Sequence, residues 1–159
     1  MSDIVHRPFM DLAIAKAKEN LKSLAGGPFG ACIVKNGKVI AVAANKVLKC
    51  DPTAHAEMNA IRLAAKRLKT FDLTGCVVYS TTEPCPMCFS AVHWAKIKTI
   101  IYGTTISDAA AIGFNELKIT NIRLNRLGKA KIRLVPGVMR PECLKLFADW
   151  DKLPQKQLY

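Results

Sequence analysis

Residues 76–103 read CVVYSTTEPCPMCFSAVHWAKIKTIIYG, and their pattern decides the fold class. Residues 76–81 and 99–103 are short apolar runs typical of buried strands, and the segment between them is suited to a short helix. Two strands joined by such a crossover lie parallel, and the connecting helix covers one face of the sheet. The stretch therefore predicts a strand, a helix and a parallel strand as part of an α/β fold.

The segments around this unit extend the prediction. Residues 30–35 and 38–44 are β-prone and are joined by Asn36-Gly37, a pair that tolerates the positive φ angles of a two-residue hairpin turn. Apolar residues recur at helical spacing from residue 10 to residue 24 and again from 53 to 68. Residues 131–135 predict a further strand and 141–150 a last helix. We expect a three-layer α/β/α fold with a central, mixed, five-stranded sheet.

Length, composition and charge limit the class of protein. A chain of 159 residues, half of them apolar, has material for one core, so we expect a single domain over residues 1–159. The first twenty residues contain no continuous apolar stretch and no later stretch is long enough to span a bilayer, which predicts a cytoplasmic protein without a membrane partner. The net charge is +12, which keeps RNA as an alternative partner, although basic residues interleaved with apolar ones favour a solvated face.

Two short segments, residues 51–57 and 82–88, carry the chemistry, and each stands where a helix is predicted to begin. Cys85 and Cys88 are three residues apart, so their sulfurs share one face of a helical turn and can bind one ion. His55 would be a third ligand, which leaves the fourth position of a zinc ion open to water. Zinc lowers the pKa of bound water to about 7 in catalytic sites, which supplies hydroxide at neutral pH. Glu57 is predicted beside this water rather than on the metal.

A structural zinc site, or a pair of cysteines without metal, would explain Cys85 and Cys88 taken alone. A structural site closes all four metal positions with protein ligands and has no use for a neighbouring carboxylate such as Glu57. The combined pattern His-x-Glu…Pro-Cys-x-x-Cys is the known signature of zinc deaminases. It favours a hydrolytic enzyme over a nucleic-acid-binding module with structural zinc.

With these motifs the chain resembles the cytidine-deaminase-like superfamily over nearly its whole length. It is most similar to the bacterial guanine deaminases, and also resembles tRNA adenosine deaminases and fungal cytosine deaminases. The segments that favour the guanine deaminases are residues 26–31, 51–57, 83–88, 108–110, Gly113-Phe114 and Tyr159. The resemblance implies deamination of a free nucleobase, with guanine converted to xanthine and ammonia. Adenosine in tRNA, cytosine and other amino-heterocycles stay open as alternative substrates.

The resemblance also implies roles for individual residues. His55, Cys85 and Cys88 would hold one Zn²⁺ per subunit, Glu57 would move protons, and Glu116 would contact the substrate and assist proton transfer. The residues implied in substrate binding are Phe29, Asn45, Ala56, Trp94 and Tyr159. Relatives of this kind are dimers, so we expect a homodimer, in which the C-terminal segments can be exchanged between subunits.

Overall fold

The computed structural model describes residues 3–159. The strands, in chain order, are β1 (Gly30–Lys35), β2 (Lys38–Ala44), β3 (Cys76–Thr82), β4 (Thr99–Thr104) and β5 (Arg133–Val135). The helices are α1 (Asp3–Ser23), α2 (Ala56–Leu68), α3 (Pro86–Trp94), α4 (Ile106–Ala111), α5 (Asn121–Leu127) and α6 (Arg140–Asp151). A short 3₁₀ turn, Val47–Lys49, follows β2.

The five strands form one mixed sheet in the order β2-β1-β3-β4-β5. Strand β1 pairs antiparallel with both β2 and β3, whereas β3, β4 and β5 run parallel. The hairpin turn places Asn36 and Gly37 at positive φ, as the sequence predicts. The α/β fold class and the mixed five-stranded sheet are thus confirmed.

The sheet is buried on both faces, because alternate residues of each strand point to opposite sides. In β1, Ala31 and Ile33 pack into a core that includes Ala60 of α2 and Phe89 of α3. Cys32 of the same strand packs into a second core, whose other members come mainly from α1 and α6. The helices therefore lie in two layers, one on each side of the sheet.

Some element boundaries differ from the prediction. Helix α2 begins at Ala56 rather than near residue 53, because residues 51–55 form a turn in which Thr53 donates two hydrogen bonds to Asp51 Oδ1. Helices α4 and α5 are absent from the prediction, since each has only six or seven residues. Their starts are nevertheless encoded in the sequence, as the Thr105 and Thr120 side chains cap them.

Two glycines permit close contacts between layers. A side chain at Gly30 would collide with the backbone of Ala13 in α1, and one at Gly103 would collide with Cys143 in α6.

Among the helices of residues 3–159, none combines the length and the apolar character needed to cross a bilayer.

Candidate metal and active site

The three predicted metal ligands come together where two helices begin. His55 is the N-cap residue of α2, Cys85 is the N-cap residue of α3, and Cys88 lies in the first turn of α3. Their ligand atoms all lie within 4.8 Å of one another, and Cys85 Sγ is 3.6 Å from His55 Nδ1. A zinc ion bound tetrahedrally at ordinary Zn–S and Zn–N distances separates its sulfur and nitrogen ligands by about 3.6 Å. The cluster thus fits zinc in donor chemistry and in spacing.

The two cysteines differ in how readily they lose a proton. The hydrogen bond with Cys88 and the neighbouring His55 lower the pKa of Cys85 to about 4, so this sulfur is a thiolate at neutral pH. The same hydrogen bond, together with burial, raises the pKa of Cys88 well above its ordinary value. Because metal ligands must be deprotonated, binding of zinc requires release of the Cys88 proton.

Glu57 lies beside this cluster in the first turn of α2 and is only 6% exposed. Its Oε1 accepts a hydrogen bond of 2.9 Å from Ser80 Oγ, and its Oε2 lies 3.5 Å from Cys88 Sγ. Burial raises the pKa of the Glu57 carboxyl. His55 and Glu57, two residues apart, reach the same site because the His55 backbone is extended rather than helical. The sequence prediction that Glu57 lies next to the metal ligands agrees with this geometry.

A cavity opens onto the cluster. Seven of the residues singled out in the sequence line it: Phe29, Asn45, His55, Glu57, Cys85, Glu116 and Tyr159. Four residues without a predicted role complete the lining: Thr82, Glu83, Phe114 and Asn115. Most of the predicted site is therefore brought to one place by elements far apart in the chain.

Aromatic rings form one wall of the cavity. Phe114 packs edge-on against Phe29, with ring centroids 4.8 Å apart, and against Tyr159, at 5.2 Å. The Tyr159 hydroxyl accepts a hydrogen bond of 3.0 Å from the Gly27 amide, and its carbonyl accepts one of 2.9 Å from the Asn115 amide. The C-terminal residue is thus held against this chain's own cavity. Such a wall suits a flat heterocyclic ring.

Polar groups face the same space. Asn45 is 1% exposed, its Oδ1 accepts a hydrogen bond from the Val47 amide, and its side chain lies beside the Tyr159 hydroxyl at the cavity. Glu116 lies in the loop between α4 and α5, and burial raises the pKa of its carboxyl to about 7. Three acidic side chains thus line the cavity: Glu57 beside the metal ligands, Glu83 after β3, and Glu116 in the loop between α4 and α5.

Two of the predicted substrate contacts have no side chain in the cavity lining and stay predictions. Trp94 does not line the cavity of this chain: it is the last residue of α3, about 9 Å along the helix from Cys88, and is 80% exposed. Ala56 is fully buried, so its side chain belongs to the core. Only its backbone could serve a substrate, because the first amides of a helix lack intrahelical partners.

Sequence reasoning also left residues out. Glu83 stands inside the segment that carries the two cysteines, and this position is the one signal that could have marked it. Phe114 was noted only as part of a segment shared with relatives. Thr82 and Asn115 carry no motif, and they reach the cavity because β3 ends there and the loop after α4 folds over it.

Comparison with known proteins agrees with this geometry. Residues 4–104 match the model of the cytidine and deoxycytidylate deaminase zinc-binding region. The chain is 40% identical to guanine deaminase of Bacillus subtilis (strain 168) over 158 residues, which is 97% of this chain and 99% of that protein. It is 44% identical to tRNA-specific adenosine deaminase of Aquifex aeolicus over 95 residues, which is 59% of this chain and 62% of that protein.

Solved structures are similar as well. A structure of guanine deaminase from Nitrosomonas europaea superimposes with a TM-score of 0.82 at 28% identity and covers 91% of this chain and 84% of that one. The structure of the Bacillus subtilis guanine deaminase superimposes with a TM-score of 0.67 at 38% identity, over 97% of this chain and 98% of that one. By its zinc-ligand set, its sheet and these matches, the chain belongs to the zinc-binding cytidine and deoxycytidylate deaminase family.

Proposed function

We propose that this protein catalyses the hydrolytic deamination of guanine, in which guanine and water give xanthine and ammonia. The observation that carries the proposal is a single cavity in which the metal-ligand cluster and Glu57 face a second carboxylate, Glu116, and a wall of aromatic rings. The 40% identity with Bacillus subtilis guanine deaminase extends over 97% of the chain, which includes both the metal-ligand segments and the loop that carries Glu116. A zinc-dependent deaminase acting on a free purine accounts for all of these groups.

The chain's own residues explain how the reaction proceeds. When bound by His55, Cys85 and Cys88, zinc supplies a water of lowered pKa as the nucleophile. Glu57 accepts the proton of that water and delivers it to the ring nitrogen beside C2, the carbon that carries the amine. Ser80 holds Glu57 Oε1, so Oε2, the oxygen nearer the metal ligands, is the one that moves the proton. Glu57 then carries the remaining proton of the added hydroxyl to the amine, so that the C–N bond breaks, ammonia leaves and the new oxygen becomes a carbonyl.

The remaining cavity residues orient the base. Phe29 and Phe114 pack against the flat ring, and Asn45 Nδ2 donates to an acceptor on its edge. The Ala56 backbone amide, at the start of α2, donates to the carbonyl oxygen of the base. Glu116 accepts from a ring N–H and assists the proton transfer. Buried polar groups that match the edge of guanine give discrimination, because a base without these groups leaves them unpaired.

Adenosine in tRNA is a second candidate substrate, favoured by the charge of one segment. Residues 117–141 contain seven Lys or Arg and no Asp or Glu, and the segment begins directly after Glu116. Salt would weaken phosphate contacts made by such a surface. A tRNA adenosine deaminase should therefore lose activity on tRNA as the salt concentration rises. Cytosine and other amino-heterocycles remain alternatives for the same cavity. A non-enzymatic module with structural zinc leaves the buried Glu57 and the cavity without a role.

We further propose a single domain over residues 1–159 that acts as a homodimer. Trp94, 80% exposed at the end of α3, is a large apolar side chain that a second subunit would cover. The Bacillus subtilis structure superimposes less well than the less similar Nitrosomonas europaea one, and a C-terminal segment placed on a neighbouring subunit would lower a superposition in this way. Sedimentation at the monomer mass would contradict the dimer. The cytoplasmic location stays a prediction.

The test is a substrate panel. Zinc-loaded protein and its Glu57→Ala variant are incubated with guanine, cytosine, adenine, ammeline and unmodified tRNA, and the products are separated by chromatography. Xanthine formed by the wild-type protein alone supports the proposal. Inosine in tRNA without turnover of any free base would replace guanine with the second candidate. A wild type that acts on neither would contradict both.

A further inference from the structure

Glu83 is a buried carboxylate that the proposed chemistry does not use. It follows β3 and precedes Pro84 and Cys85, and it is 5% exposed. Its Oε2 accepts a hydrogen bond of 3.2 Å from the Ile106 amide, and its Oε1 accepts one of 2.7 Å from the Asn121 amide. These amides belong to the first residues of α4 and α5. One side chain therefore bonds to the starts of two helices.

Asn121 adds a third bond to the same place. It is fully buried, and its Nδ2 donates a hydrogen bond of 2.6 Å to the carbonyl of Pro84, the residue immediately before the metal ligand Cys85. The Glu83 cluster, defined as Glu83, Pro84, Ile106 and Asn121, is thus fixed by three hydrogen bonds. A carboxylate is a favourable partner for the amides at a helix start, because the charge and the helix dipole attract each other.

The cluster holds the starts of the two helices that flank one loop. Residues 112–120 connect α4 to α5, and this loop carries Phe114, Asn115 and Glu116, all of which line the cavity. Because α4 and α5 are both held at their starts by Glu83, the loop between them is held as well. The Asn115 amide in turn bonds to the carbonyl of Tyr159, so the C-terminal residue depends on the same loop.

We propose that Glu83 is a positioning residue that sets the place of Glu116 relative to the metal ligand Cys85. Its oxygens bond the Ile106 and Asn121 amides, so it acts through α4, α5 and the loop that they support, and its proximity also raises the pKa of the Glu116 carboxyl. The kinetic test of this inference rests on the proposed function, whereas the structural test does not.

The main test variant is Glu83→Gln. An amide can accept from one of the two backbone N–H groups but presents its own NH₂ to the other, so one bond is lost and two donors face each other. Residues that orient a metal or catalytic ligand through hydrogen bonds typically contribute about 10–100-fold to activity, and we expect kcat/KM to fall by this factor. The zinc content should stay at one per chain. Glu142→Gln is the matched control, since it removes a half-exposed carboxylate near the start of α6 that contacts Arg7.

A double-mutant cycle separates positioning from general damage. If Glu83 acts through Glu116, Glu83→Gln made in a Glu116→Gln background should lower kcat/KM by less than about threefold. Equal losses in both backgrounds would overturn the proposal. Asn121→Ala is the second variant in case Glu83→Gln does not fold: it removes the bond to Pro84 but keeps the backbone bond to Glu83, and the same pattern at about tenfold is expected.

Hydrogen exchange tests the proposal without any substrate. The peptide spanning residues 105–121 of zinc-loaded Glu83→Gln should exchange about tenfold faster than in wild type and in Glu142→Gln, because one of its two anchoring amides loses its acceptor. Unchanged exchange in this peptide would overturn the proposal whatever the substrate proves to be. A wild type inactive on guanine with faster exchange in the variant would instead reject only the proposed function.

Discussion

Residues 4–104 and residues 105–159 meet at one cavity but contribute different groups to it. The first part contains the metal ligands His55, Cys85 and Cys88 and the neighbouring Glu57, and it is the part that matches the family model. The second part contributes Phe114, Asn115, Glu116 and Tyr159 to the opposite side. The metal ligands and Glu57 thus lie in the region that the family model covers, and the proposed function assigns much of the discrimination between bases to the segment beyond it.

The largest expected effect concerns the two carboxylates. Glu57→Gln should lower kcat on every substrate by about 10²–10⁴-fold, because it removes the group that moves the protons. Glu116→Gln should cause a smaller loss that differs between guanine and other bases, because it acts through recognition. Ammonia release measured with guanine and with 2,6-diaminopurine, at full zinc loading, checks both. If both variants lowered kcat equally on both bases, the two regions would not differ in function.

The next effect concerns the contact between the regions. Gly103→Ala should cost about 1–3 kcal/mol of folding free energy, because the added methyl group collides with Cys143 of α6. Urea unfolding of the zinc-loaded protein measures the cost. Gly128→Ala is the control: it lies at the end of α5 at an ordinary φ of −81°, and the nearest atom is the Leu124 carbonyl oxygen at 3.1 Å. A change no larger than in this control would show that α6 can move away from β4 without loss.

A third prediction concerns the C-terminal residue. Tyr159→Phe removes the hydroxyl that accepts from the Gly27 amide but keeps the ring against Phe114. We expect KM for guanine to rise about tenfold with little change in zinc content, since one hydrogen bond at the cavity is lost. Steady-state kinetics and metal analysis measure the two quantities. An unaltered KM would mean that the ring alone closes the cavity.

The smallest effect concerns the start of α4. Asp108 accepts from the Thr105 amide and hydroxyl and is bonded by Arg140, and the hydrogen bond from Arg140 lowers the pKa of its carboxyl. A lowered pKa stabilises the fold above the unfolded value, about 4, and this contribution declines as the pH falls further. Asp108→Asn should therefore cost about 1 kcal/mol at pH 7 and less at pH 3. Thermal melts of the wild type and the variant at pH 7 and pH 3 show whether the loss of stability is larger at the higher pH.

These two regions also differ in how far the sequence predicts them. The first region contains the periodic segments and the spaced ligands, so its sheet, its main helices and the cluster of His55 with the two cysteines follow from local patterns. The alternation in β1 and the Asn36-Gly37 turn are physical signals of this kind. Only boundaries needed correction, as at the start of α2, where side-chain bonds within residues 51–55 compete with the helix.

The second region has weaker local signals. Helices α4 and α5 are too short for a helical period to stand out, and the loop between them is placed by hydrogen bonds to Glu83, a residue more than twenty positions earlier. Such contacts join residues far apart in the chain, so no regular spacing of residues in the sequence predicts them. Glu116 and Tyr159 were identified through resemblance to relatives, because neither belongs to a local pattern of the sequence.

The metal ligands at the starts of α2 and α3 make the stability of the fold depend on the concentration of free zinc. Both N-cap positions, His55 and Cys85, are occupied by metal ligands, and neither side chain makes a capping hydrogen bond. Each helix therefore begins without the roughly 1 kcal/mol that a serine or aspartate cap contributes. An ion that binds only the folded chain adds about 1.4 kcal/mol of stability for each tenfold rise in its free concentration above Kd. The melting temperature of this protein should thus report the free zinc concentration around it.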